Sequence, residues 1–249
     1  MAISGSHVDS AQSFASNTNL TIAAFTPALN QYYFLVVYNT QGGTGPFNPS
    51  ISTANGLTFV QIDQQLAGGI ADVQITTYRA LITSGASNGT ITVGCGGAPY
   101  DAFFASLETF TGTETSGSNG SGATVQFGST NNAGPVNAIS TTLGAFGSAS
   151  NGTVCVGGWK NQSAFTISDT TADAGYTELI DINTGTRWNL DVNWRADNFL
   201  TSTVTQTDGS GVGSRGVVWA MELKASGGGG GGGGGAGQPN SMLQFGIGA

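Results

Sequence analysis

Apolar runs of strand length, separated by clusters of Gly, Ser, Asn and Thr, recur along the chain, and this alternation limits the possible folds more than any other feature. Such runs bounded by turn formers signal short β-strands. With 41 glycines and little Lys, Glu or Leu, the chain has few residues from which to build long helices. Strands are predicted at Tyr32 to Tyr38, Leu57 to Ile62, Val73 to Leu81, Thr90 to Cys95 and Ala102 to Phe110. A second series follows at Thr153 to Trp159, Tyr176 to Ile182, Arg187 to Arg195, Leu200 to Thr205 and Val217 to Leu223.

The two series run in the same order, and individual residues match. Phe34-Leu35-Val36-Val37 aligns with Thr153-Val154-Cys155-Val156, and Gly56-Leu57-Thr58 with Gly175-Tyr176-Thr177. Tyr78-Arg79-Ala80 aligns with Trp194-Arg195-Ala196, and Ser106-Leu107-Glu108 with Ala220-Met221-Glu222. This pattern predicts an internal duplication of a four- or five-strand unit. One such unit cannot cover both its faces, so two are expected to close on each other as a single two-sheet antiparallel β-sandwich, with two independent domains as the alternative. In the last strand Val217, Trp219, Met221 and Leu223 alternate with Val218, Ala220 and Glu222, which predicts one core face and one partly wet face.

The order of strand, Gly-Leu-Thr or Gly-Tyr-Thr turn, aromatic-Arg-Ala strand, Asn-Gly-Thr strand and closing apolar strand resembles a jelly-roll-like β-sandwich domain that recurs in tailed-bacteriophage virion proteins and related bacterial surface proteins. The resemblance covers about residues 15 to 225. It implies a virion structural or adhesive module and carries across no catalytic residue. The expected organisation is an N-terminal arm (1–14), an all-β sandwich (15–225, halves about 15–111 and 123–225), a Gly-rich linker (226–241) and an apolar tail (242–249).

Nine consecutive glycines, Gly227 to Gly235, precede that tail. Poly-glycine loses the most backbone entropy on ordering and buries no side chain in return, so the tail is read as a tethered peptide outside the core. In Met242-Leu243-Gln244-Phe245-Gly246-Ile247 the residues Leu243, Phe245 and Ile247 share one edge of an extended chain. With Met242 they are the expected docking residues, able to add a strand to a sheet edge or lie in a groove. Nine glycines stretch to about 30 Å, which reaches a neighbouring subunit; folding back onto the chain's own domain is the alternative.

Only 8% of residues are charged, and the formal net charge is −8. Such a surface repels phosphate, so nucleic acid is not an expected partner. No run approaches the length of a membrane-spanning helix. Met1 to His7 has neither the basic start nor the apolar segment of a secretory signal, so synthesis in the cytoplasm is expected, with processing from a longer precursor as the alternative.

A search for chemistry yields little. Glu108 and Glu222 sit at matching places in the two series, and paired carboxylates serve glycoside hydrolysis, but repetition alone explains their placement. Asp169, Asp173, Glu178 and Asp181 crowd one stretch without the spacing of a calcium loop. His7, the single histidine, falls in the expected arm, which argues against a Ser-His-Asp triad. Cys95 and Cys155 read as buried thiols, with a disulfide as the alternative, and they and His7 are too few for a metal site. Neither phosphate-loop nor dinucleotide motifs occur, so no cofactor is expected. Trp159, Trp194 and Trp219 fall in apolar strands and are expected in the core, whereas Trp188 follows a turn and is the candidate for a glycan contact.

These features converge on a non-enzymatic bacteriophage virion protein. The leading expectation is a capsid decoration (cement) protein, made in the host cytoplasm and working on the virion. Its partners would be the major capsid protein or other virion subunits, and a homo-trimer is suggested by analogy alone. The alternative is a tail-fibre module that binds a receptor or a cell-surface glycan.

Overall fold

The computed structural model describes residues 2–14, 19–40, 46–67, 73–94, 100–161, 170–172, 174–183, 187–196, 203–208 and 213–227. The first half contributes β1 (Ser4–Ser13), β2 (Leu20–Phe25), β3 (Tyr32–Thr40), β4 (Ser50–Thr53), β5 (Val60–Ala67), β6 (Val73–Leu81), β7 (Gly89–Gly94) and β8 (Ala102–Thr111). After a short 3-10 segment, Ser118–Ala123, come β9 (Thr124–Val136), β10 (Ala138–Thr142), β11 (Gly152–Lys160), β12 (Thr170–Ala172), β13 (Thr177–Asn183), β14 (Trp188–Arg195), β15 (Thr203–Asp208) and β16 (Ser214–Leu223). The chain is all-β, and every strand pairing is antiparallel.

Four sheets result. The first half forms a five-stranded sheet, β1-β8-β3-β6-β5, and a three-stranded sheet, β2-β7-β4. The second forms β9-β16-β11-β14-β13 and β10-β15-β12, the same orders with eight added to every label. The large sheets face each other across a central core in which Phe34, Val36, Tyr38 and Phe104 meet Val154, Val156, Trp219 and Met221. The opposite face of the first large sheet packs Tyr33, Leu35, Val37 and Phe103 with Leu20, Ile22, Ile91 and Val93 of its small sheet. In the second half Cys155, Trp159, Val218 and Ala220 pack with Ile139 and Val204.

The expected two-sheet sandwich is thus the middle of a four-layer stack. Each large sheet is buried on both faces, which corrects the expectation of a wet face on the final strand: Val218, Ala220 and Glu222 are fully buried. In the outer sheets the apolar runs Thr90 to Cys95 and Leu200 to Thr205 overlap β7 and β15, but β2, β4, β10 and β12 escaped, since strands such as β10, Ala-Ile-Ser-Thr-Thr, bury only alternate residues. On the exposed side of that layer, hydroxyls pair across the ladder, Ser140 with Thr205 at 2.8 Å and Thr142 with Thr203 at 3.0 Å.

Two further expectations are corrected. Residues 4–13 of the expected N-terminal arm form β1, paired with β8 from Ser4–Thr111 to Ser13–Phe103. That edge was open, and ladder hydrogen bonds hold a polar segment whose sequence shows no core face. The residue-by-residue match between halves also fails in space along the central strands. Phe34 pairs with Arg79 and Glu108, and Thr153 with Arg195 and Glu222, as the alignment requires. Phe34, however, faces the central core, while Thr153 alternates with Val154 and so faces outward. A slip of one residue reverses a strand's faces, so strand order repeats while facing does not. The matched turns do agree: Gly56 (φ +87°) and Gly175 (φ +94°) both adopt the left-handed conformation that glycine tolerates without strain.

Direct bonds join the halves. Tyr38 Oη donates to the Trp159 carbonyl at 2.7 Å, and Tyr32 Oη lies 3.1 Å from Thr124 Oγ1. Gly158 is a point of close approach: a Cβ there would stand 2.8 Å from both Ile75 Cδ1 and Tyr38 Cδ2.

Candidate functional site

The carboxylates come first, because they were the only candidates for hydrolytic chemistry. Glu108 and Glu222 are both fully buried. Glu108 shares the face of Phe104 and Phe110 toward the central core, whereas Glu222 shares the face of Val218 and Ala220 toward the outer small sheet. Each therefore has its own set of partners. Glu222 accepts from Gln126 Nε2 at 2.6 Å, Asn151 Nδ2 at 2.6 Å and the Gly147 amide at 2.9 Å. The two carboxylates do not converge on a common cleft.

Glu108 has a partner that the sequence did not reveal. His7 stands opposite it in the β1–β8 ladder, with Nδ1 at 3.1 Å from both carboxylate oxygens. Ser106 Oγ donates to the same carboxylate. Serine, histidine and an acid thus meet, but the carboxylate is the hub, and the serine bonds to the acid. A hydrolytic triad needs its histidine between nucleophile and acid, so this arrangement does not activate Ser106. The hydrogen bond His7 donates to Glu108 raises the His7 pKa above its ordinary 6.5, partly opposed by desolvation and assisted by the charges of Glu108 and Asp9.

The second half carries a polar interior that no motif announced. Asn189, Asp191 and Asn193 line one face of β14 and are buried, as are Gln206 and Asp208 on β15. Asn193 Nδ2 donates to Asp191, Ser214 Oγ to Asp208, and Gln206 Nε2 to Cys155 Sγ at 3.3 Å. Gly157 leaves the space for this network, since a Cβ there would collide with Gln206 Oε1 and Asp191 Oδ1. The alternation Asn-Leu-Asp-Val-Asn predicts a half-wet strand, but the outer sheet covers it.

Of the acidic stretch, Glu178 and Asp181 lie on β13, and Asp181 accepts from Asn189 Nδ2 at 2.6 Å. Asp169 and Asp173 fall outside the described residues, as does Cys95; Cys155 is a buried thiol. Among the described residues no group of three or more His, Cys, Asp or Glu side chains is placed to hold a metal ion. Trp159 and Trp219 are buried in the core, as expected. Trp194 is only partly buried against it, with Phe110 at 6.2 Å between ring centroids. Trp188, the glycan candidate, is partly buried too, and its ring lies 5.5 Å from that of Phe14, which is 47% exposed.

The docking residues Met242, Leu243, Phe245 and Ile247 lie outside the described residues, and what the structure describes is their point of departure. Leu223, at the end of β16, pairs with Thr124, and Ala225 bridges Thr113. The Ser226 amide then donates to the Gly112 carbonyl at 2.7 Å. An open groove of roughly 560 Å³ lies beside this exit, lined by Ser121, Thr124, Val125, Asn151 and Lys224 among others.

Comparison with protein-family models, with curated proteins and with solved structures yields no match to this chain.

Proposed function

We propose that the chain is a duplicated jelly-roll-like β-sandwich acting as a bacteriophage virion structural protein, a capsid decoration (cement) protein that binds the assembled shell. The repeated strand order, β1-β8-β3-β6 against β2-β7-β4 and its counterpart in the second half, supports the jelly-roll reading. The observation that carries the functional reading is the anchoring of the tether. Residues 224–226 are bonded beside the connection between the halves, so an apolar tip on a glycine leash departs from a firmly held base. Docking of that tip on a neighbouring virion subunit, the major capsid protein or another, would stabilise only the assembled form, and many weak contacts on one particle add through multivalency.

The test is occupancy on particles. Deleting residues 228–249 leaves every described contact in place, and the truncated chain is expected to keep its circular dichroism spectrum while its occupancy falls at least tenfold. Phe245→Asp with Ile247→Asp should reproduce the loss. Full occupancy by either variant overturns the docking role.

A second reading, a tail-fibre module for a receptor or glycan, draws on the exposed Phe14 beside Trp188. Glycan-array binding abolished by Trp188→Ala would favour it.

A further inference from the structure

Four strands form the outer edges of the two large sheets: β1 and β5 in one, β9 and β13 in the other. An open edge presents unpaired backbone groups that recruit another strand, and proteins ordinarily blunt such edges with bulges and charges. Three of these edges are blunted. β1 carries Asp9 and a register break between His7 and Asp9. β5 carries Asp63 and a break between Gln61 and Asp63. β13 carries Glu178 and Asp181, with a break between Glu178 and Ile180.

β9 is different. Its thirteen residues, Thr-Val-Gln-Phe-Gly-Ser-Thr-Asn-Asn-Ala-Gly-Pro-Val, include no charge. Gln126 to Asn132 pair with β16 in unbroken register, the irregularities and Pro135 falling toward the strand's ends. β9 also bears two of the four exposed large hydrophobic residues described, Val125 at 43% and Phe127 at 46%. Phe127 stacks on Trp219 with ring centroids 6.0 Å apart, so an apolar ledge continues the central core to the surface. A long, uncharged edge with apolar residues at its rim is a template for strand addition.

We infer that the outer edge of β9 is the receptor for residues Met242 to Ile247 of a second copy of this chain, added as a further strand with Leu243, Phe245 and Ile247 on the side of Val125 and Phe127. The inference rests on the docking role proposed above and names its acceptor. The segment suits the edge: it is uncharged, contains no proline and alternates apolar side chains with Gln244 and Gly246. The tether is long enough for a neighbour. Leu223 pairs with Thr124, so the chain leaves its fold at the beginning of its own β9. About eight residues would suffice to reach back along that strand to the level of Asn131, at about 3.4 Å per residue. Residues 228–241 number fourteen and extend to about 46–50 Å, enough to carry the tail past its own β9 to that of a second copy.

The test uses two full-length variants, Thr130→Cys on β9, on the face opposite Phe127 and so on the side of Gln244, and Gln244→Cys on the tail, mixed and oxidised. A disulfide-linked heterodimer is expected in at least tenfold excess over mixtures with Ser10→Cys, on the β1 edge, or with the unsubstituted chain, which controls for the native cysteines. Phe127→Asp added to the Thr130→Cys chain should reduce the yield to the control level. No excess over the controls overturns the inference, as does a double variant that cross-links only within single chains. Failure of the two proposals is distinguishable. Cross-linking without any effect of tail deletion on particle occupancy removes the decoration role and leaves the acceptor standing; loss of occupancy without cross-linking does the reverse.

Discussion

The indole Nε1 of Trp219 donates to Asp63 Oδ2 at 3.1 Å, tying a central strand of the second half to the edge strand β5 of the first. Trp219 is also stacked on Phe34, ring centroids 5.5 Å apart. The two large sheets therefore share a polar bond as well as an apolar core, and the bond fixes how they are set against each other.

Removing its acceptor leaves an indole N–H without a partner at the edge of the core. Asp63→Ala is expected to cost about 1–3 kcal/mol and Trp219→Ala about 3–5 kcal/mol in urea unfolding. A double-mutant cycle with Trp219→Phe should give a coupling of at least about 0.5 kcal/mol. Additive effects would mean that the bond does not couple the halves.

Spacing between the large sheets depends on Gly158. A methyl group there meets Ile75 and Tyr38 at 2.8 Å, so Gly158→Ala should destabilise by about 1–3 kcal/mol through overpacking. The control is Gly134 on β9, where a Cβ would have only Asn132 Oδ1 within reach, at 3.5 Å. Gly134→Ala is expected to stay within about 0.5 kcal/mol of the parent. Equal effects at both sites would contradict the close approach.

Stability should depend on pH through His7. Its pKa is raised in the folded state by the bond to Glu108, so the protonated form is favoured on folding. The stabilisation is complete below the unfolded value near 6.5 and is lost as pH rises through the higher folded value. Against His7→Gln, the parent should melt about 2–4 °C higher at acidic pH, the shift corresponding to about 1 kcal/mol in a chain of this size, and the gap should narrow toward about pH 9. A gap independent of pH would exclude the charged pair.

Glu222 accepts three hydrogen bonds from neutral donors. Glu222→Gln places an amide group against at least one of those donors and is expected to cost about 1–3 kcal/mol. An unchanged denaturation midpoint would show that the carboxylate is not needed to hold the 147–151 loop.

The sequence made the all-β class legible because apolar runs such as Tyr32 to Tyr38 and Val217 to Leu223 are too short and too β-branched for anything else. It concealed much of the outer layers, since strands such as β10 bury only every other residue and resemble loops in composition. β1 was hidden for another reason: Ser-Gly-Ser-His-Val-Asp-Ser has no hydrophobic period, and the strand is held through its ladder with β8 and by the His7–Glu108 contact. The buried Glu108 was the available clue, because a carboxylate in an apolar strand requires donors from somewhere. The polar interior around Asp191 was unreadable for the opposite reason, as its alternation imitates a strand open to water.

The strand that feeds the tether, β16, lies between β11 and β9 and is laddered to both along nearly its whole length. A pull on the far end of the chain would arrive parallel to those ladders, loading many backbone hydrogen bonds at once instead of peeling them singly. A load on the leash would thus reach two ladders together and extend the glycines before it opened the fold.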